Sequence, residues 1–75
     1  MPRKTTARVI ERKKLVLNLL REHGELPTSE LVKQTDLTHS QVFYVLRILL
    51  REGLVEEIKR GKVAYWRLSE AARRE

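Results

Sequence analysis

Residues 38–53 constrain this chain more tightly than any other stretch. Thr38-His39-Ser40-Gln41 fits the capping box, in which the Thr hydroxyl accepts the amide three residues on and Gln reaches back to the cap amide. Val42, Val45, Leu46, Leu49 and Leu50 follow at i, i+3, i+4, i+7 and i+8, the spacing of a helix with one buried face. Gly53 closes it, as a residue tolerant of positive φ does at a helix C-terminus. A helix over about residues 39–52 must therefore turn one side to a core. The opposite side carries Ser40, Tyr44, Arg47 and Arg51, flanked by His39, Gln41 and Phe43.

The remaining elements arrange themselves around that helix. A first helix can run from near Thr6 to His23, with Gly24 as its C-terminal cap. At 100° per residue Val9, Ile10, Val16, Leu17 and Leu20 share one face, while Leu15 and Leu19 form a second apolar stripe. Glu25-Leu26-Pro27 reads as an extended connector, because proline disfavours helix in the residue before it. Thr28 can cap a second helix that ends around Thr35, with Leu31 and Val32 buried and Glu30 in its first turn. Asp36 and Leu37 form the turn into the third helix. Leu54–Lys59 and Lys62–Leu68 read as strands joined by Arg60-Gly61, a tight hairpin. Ser69 begins a short helical tail over residues 69–75.

These elements give an expected α+β fold, mainly helical, with three helices and a two-stranded C-terminal β-hairpin. Residues 1–75 form a single domain, preceded at 1–5 by a basic arm. A 75-residue chain buries only about 60% of its unfolded surface, so it benefits from a staple or a partner. There is no cysteine, which excludes disulfides and thiolate metal sites, and dimerisation is the remaining source of support. His23 and His39 are the only histidines, so no metal and no cofactor is expected. Asp36, His39 and Ser40 are close in sequence, but a catalytic triad is defined by spatial roles, and the three scattered glycines make no phosphate loop. An enzyme is not expected. The longest apolar stretch, Leu15–Leu20, is too short for a membrane span and no signal core follows the N-terminus, so the expected location is the cytoplasm, at the nucleoid. Charged residues make up 35% of the chain and side-chain amides are scarce (Asn18, Gln34, Gln41), a balance that leans toward a thermophile.

Sixteen Lys and Arg against ten Asp and Glu give a net charge of +6, which suits a polyanionic partner. The excess is not uniform. Residues 1–14 hold Arg3, Lys4, Arg8, Arg12, Lys13 and Lys14 against Glu11, and residues 54–68 hold Lys59, Arg60, Lys62 and Arg67 against Glu56 and Glu57. The stretch from Leu15 to Thr38 is acidic on balance.

The run from Leu26 to Leu68, LPTSELVKQTDLTHSQVFYVLRILLREGLVEEIKRGKVAYWRL, resembles the winged helix-turn-helix superfamily. It is most similar to arsenic-repressor-type and multiple-antibiotic-resistance-type regulators and their small archaeal relatives. Arg-Glu-Gly-Leu-Val at 51–55 and Tyr-Trp-Arg-Leu at 65–68 carry much of the likeness. The resemblance implies a transcriptional regulator of double-stranded DNA whose hairpin, the wing, touches phosphates or enters the minor groove. The chain departs from metal-sensing members of the first type in having no cysteine.

The residues support the same reading independently. A helix fits the major groove, where Gln pairs with adenine, Arg with guanine, and Ser or Tyr reaches bases or phosphates. Ser40, Gln41, Tyr44 and Arg47 are the expected readers, with His39 and Phe43 beside them and Thr28 at the start of the preceding helix. Arg51 lies a turn further along. Gln41 has a competing commitment to the capping box. Lys59, Arg60, Gly61 and Lys62 form a protruding basic tip, suited to a salt-sensitive backbone contact. The N-terminal arm, with Arg3, Lys4 and Arg8, either wraps into a minor groove or remains solvated. Leu15, Leu19 and Ile48 point to a homodimer that sets two recognition helices about one DNA turn apart; the alternative is that this stripe packs under the hairpin against Trp66 or Leu68. Two rival functions are a protein-interaction winged helix within transcription or replication machinery and a sequence-neutral architectural DNA binder.

Overall fold

The computed structural model describes residues 5–74. In chain order it contains α1 (Thr5–His23), β1 (Glu25–Pro27), α2 (Thr28–Thr35), α3 (His39–Arg51), β2 (Val55–Arg60), β3 (Val63–Leu68) and α4 (Glu70–Arg74). The fold is α+β and mainly helical, with the three-helix order and C-terminal hairpin that the sequence implied.

One element differs in kind. Glu25–Pro27 is a strand rather than a connector, so the sheet has three antiparallel strands in the order β1-β3-β2. Leu26 pairs with Trp66 and turns its side chain into the core, which anchors a three-residue strand that propensity alone would not support. Pro27 has no amide to donate, and its place at a sheet edge tolerates that loss.

The helix-turn-helix is built from local signals. Thr38 Oγ1 accepts from the Gln41 amide at 3.1 Å, and Gln41 Oε1 accepts from the Thr38 amide at 3.0 Å, completing the capping box. At the other end Leu54 N–H bonds Leu49 O and Gly53 N–H bonds Leu50 O, with Gly53 at φ +77°. That is the Schellman arrangement, which satisfies the last carbonyls of α3 and turns the chain into β2. The turn between α2 and α3 places Asp36 in the left-handed region at φ 63°, a conformation Asp adopts more readily than most residues.

Thr28 does not cap α2. Pro27 occupies that position without a side-chain bond, and Thr28 is the first helical residue, nearly buried. Its hydroxyl accepts from Trp66 Nε1 at 2.8 Å and donates to Ala64 O at 3.4 Å. The indole of a buried tryptophan needs an acceptor, and a residue 38 positions away supplies it.

The core gathers Val16 and Leu20 of α1, Leu31 of α2, Val42, Val45, Leu46 and Leu49 of α3, and Trp66 and Leu68 of β3. Two residues expected inside are exposed. Ile10 lies on the outer flank of α1, 48% exposed, and Leu50 is 42% exposed on α3. At 100° per residue Leu50 stands at the edge of the apolar arc, where it lines a groove facing Glu57 and Trp66 instead of being sealed into the core. The Leu15–Leu19 stripe is split: Leu15 is exposed, while Leu19 packs against the core. Lys13 Nζ bonds Glu52 Oε2 at 2.8 Å and ties α1 to the end of α3. Arg8 lies within α1. Among the described residues no helix is long and apolar enough to cross a membrane.

Candidate nucleic-acid interface

With Val42, Val45, Leu46 and Leu49 fully buried, the opposite face of α3 is committed to solvent. His39, Ser40, Phe43, Tyr44 and Arg47 line one shallow concavity of about 340 Å³ on that face. Tyr44 is 55% exposed and Phe43 40%. The His39 and Phe43 rings, one turn of helix apart, stack with centroids 6.3 Å apart and planes inclined by 16°. Two exposed aromatic rings beside a cation give a surface that is neither core nor ordinary solvated helix.

A second groove, of about 370 Å³, runs between α3 and the hairpin. Phe43, Arg47, Leu50 and Arg51 form its helical wall, and Glu57 and Trp66 its sheet wall. Phe43 and Arg47 thus belong to both concavities and form the ridge between them. Arg51, one turn beyond the expected readers and the last residue of α3, also lines this groove. Leu50 was expected in the core and Glu57 was not singled out; both line this groove. The i, i+3 relation of Leu50 to Arg47 and the alternation along β2 were the available signals.

Gln41 is half-buried and its carbonyl oxygen is occupied by the capping box. The wing tip is a two-residue loop, Gly61-Lys62, rather than Arg60-Gly61, since Arg60 still pairs with Val63. Gly61 takes φ +64° and Lys62 does not share the positive value, as a two-residue type II′ hairpin turn requires. Lys59, Gly61 and Lys62 are exposed. Arg60 is partly committed elsewhere: its guanidinium makes a bidentate pair with Glu25 at 2.8 and 3.2 Å and lies 4.9 Å from the Tyr65 ring centroid. It bridges β2 to β1 across β3, which shifts the free positive charge of the tip onto the two lysines. Thr28 faces inward, hydrogen-bonded to Trp66 and Ala64, and is not brought to this surface. Arg3 and Lys4 lie outside the described residues. Among the described residues no group of three His, Asp or Glu side chains could hold a metal ion.

The sequence matches the family model described as bacterial regulatory protein, arsR family, over residues 11–57. That span runs from within α1 to the first half of β2. The chain belongs to the arsR family.

Solved structures agree on the fold. A hypothetical protein of Pyrobaculum spherical virus superposes with a TM-score of 0.82 at 28% identity, over 92% of this chain and 44% of that one. Reduced HlyU of Vibrio cholerae gives 0.74 at 30% identity, over 79% and 61%. The adhesin competence repressor of Streptococcus pyogenes gives 0.77 at 21% identity, over 84% and 48%. This arsR-family chain therefore spans about half the length of the structures it matches. No curated protein matches its sequence. The family match, together with the helix order and the C-terminal hairpin on a three-stranded sheet, makes the chain a winged helix-turn-helix domain.

Proposed function

We propose that the chain binds double-stranded DNA as a transcriptional regulator, with α3 in the major groove and the wing on the backbone or in the minor groove. The observation that carries this reading is the exposed face of α3. It presents Ser40, Phe43, Tyr44 and Arg47 together, on a helix whose other side is sealed into the core. A rigid helix with polar, aromatic and cationic side chains on one free face suits the readout of base edges. Arg47 and Arg51 along the groove and Lys59 and Lys62 at the wing supply the cations that phosphate contact needs. Membership of a regulator family supports the same reading, and no catalytic role is proposed.

His39, Ser40, Phe43, Tyr44 and Arg47 form the reading surface, with Gln41 contributing only through its amide nitrogen. Thr28 is left out. The proposal extends to a homodimer acting on a two-fold site in the cytoplasm, at the nucleoid, with exposed Leu15 and Ile10 on α1 as apolar contact candidates.

Selection of binding sites from random duplexes at two salt concentrations tests the reading. A palindromic site on which Arg47→Ala costs about 1–3 kcal/mol and relaxes one position supports it. Weak, steeply salt-dependent binding without sequence preference supports the architectural mode instead. No binding at low salt refutes a DNA role and returns the chain to the protein-interaction class. Sedimentation that finds only monomer at micromolar concentration refutes the dimer off DNA.

A further inference from the structure

Phe43 is an unusual occupant of a surface otherwise suited to base edges. It is 40% exposed on the free face of α3, forms part of the ridge between the two concavities, and is held against His39. A phenyl ring has no donor or acceptor. In the major groove the edges of guanine, adenine and cytosine present polar atoms, and thymine alone adds a C5-methyl group. A fixed apolar ring there has one favourable partner among the four bases.

We propose that Phe43 reads the C5-methyl group of a thymine, so that the selected site favours an A·T pair near the pair faced by Arg47. This rests on the reading that α3 enters the major groove. Phe43 and Arg47 are one helical turn apart, about 6 Å along the axis, and bases along a strand are about 3.4 Å apart. The thymine therefore lies about two base steps from the position that Arg47 contacts. Before DNA arrives the ring already stacks on the His39 imidazole, with centroids 6.3 Å apart. Arg47, with its fork of donors, suits guanine at its own position.

The test replaces each thymine of a selected site, one at a time, by deoxyuridine, which removes the methyl group and leaves every hydrogen-bonding atom. Burying one such group is worth about 0.8 kcal/mol, so the sensitive replacement weakens wild-type binding about fourfold. Phe43→Ala binds the thymine site more weakly and no longer distinguishes it from the deoxyuridine site. Phe43→Leu, which keeps an apolar tip, retains part of the discrimination. Cytosine replaced by 5-methylcytosine, placed opposite guanine at that position, recovers part of the lost affinity. Phe43 lies outside the buried core, and circular dichroism checks that each variant is folded; should Phe43→Ala fail that check, Phe43→Gln takes its place.

Wild-type protein that binds its selected site but is indifferent to deoxyuridine at every thymine overturns the inference and leaves DNA binding intact. So does a Phe43→Ala variant that keeps the fourfold discrimination. A selection that yields no preferred sequence, or no DNA binding at all, overturns the inference together with the reading beneath it.

Discussion

Replacing Thr28 by Val removes one hydroxyl and almost no volume, and the structure sets the consequence. Thr28 is 9% exposed, Trp66 is 1% exposed, and the indole Nε1 donates to the Thr28 hydroxyl at 2.8 Å. After the substitution the indole N–H has lost its acceptor inside the core. An unsatisfied buried donor costs about 1–3 kcal/mol. The hydroxyl's own bond to Ala64 O is long, at 3.4 Å, and adds little. The added methyl group offsets part of the loss, so a net destabilisation of about 1–2 kcal/mol is expected. For a domain of this size each kcal/mol moves the melting temperature by about 4–8 °C. Trp66 is the single tryptophan, so urea and thermal unfolding are read from its fluorescence without interference from another. Thr28→Ser, which keeps the oxygen and loses only a methyl group, stays within about 1 kcal/mol of wild type. A Thr28→Val protein as stable as wild type would show that the indole is not held by this hydroxyl in solution. The folded Thr28→Val protein keeps its DNA affinity under the proposed function, since Thr28 is not at the interface.

Glu57 faces the groove that holds Arg47 and Arg51, and Glu57→Gln should tighten binding to DNA by about 0.5 kcal/mol for a phosphate some 8 Å away in water; an unchanged Kd at low salt would place that carboxylate away from the DNA. Lys59→Ala with Lys62→Ala should reduce the salt slope of log K by about 2, whereas Arg60→Ala, whose side chain is already paired with Glu25, should reduce it by less than one lysine does. Equal slopes for all three single variants would refute the division of labour at the wing. Gly53→Ala places a Cβ where no atom lies within 4 Å but forces φ +77° on alanine, so urea midpoints should report a loss of about 1–2 kcal/mol from backbone strain alone. Thr38→Ala breaks the capping box and should cost about 1 kcal/mol in the same assay.

The solvent-facing side of α3 was legible in the sequence. Once Val42, Val45, Leu46 and Leu49 are read as one buried stripe, helical geometry forces Ser40, Tyr44 and Arg47 to the other side. The fate of residues at the margin of that stripe was not legible. Leu50 has the same chemistry as Leu49 and a neighbouring angle, and only the position of the sheet decides that one is sealed and the other lines a groove. Thr28 and Arg60 illustrate the same limit. Both have the composition of a DNA contact, yet Thr28 turns inward to an indole and Arg60 reaches Glu25, across 38 and 35 residues of sequence.

The sequence by itself determined the features whose partners lie within one or two helical turns. The capping box at Thr38 and Gln41, the glycine that ends α3 and the glycine that turns the wing all depend on contacts spanning five residues or fewer. Local chemistry is sufficient there because no chain closure is required. Tertiary structure decided whatever required distant segments to meet. Glu25–Pro27 becomes a strand only because β3 arrives beside it with Trp66 opposite Leu26. The groove between α3 and the wing, with its two arginines and one glutamate, exists only because the Schellman turn at Gly53 and the register of β2 on β3 set the angle between them. Pairings of that range depend on the packing of the whole domain, which no single window of residues specifies.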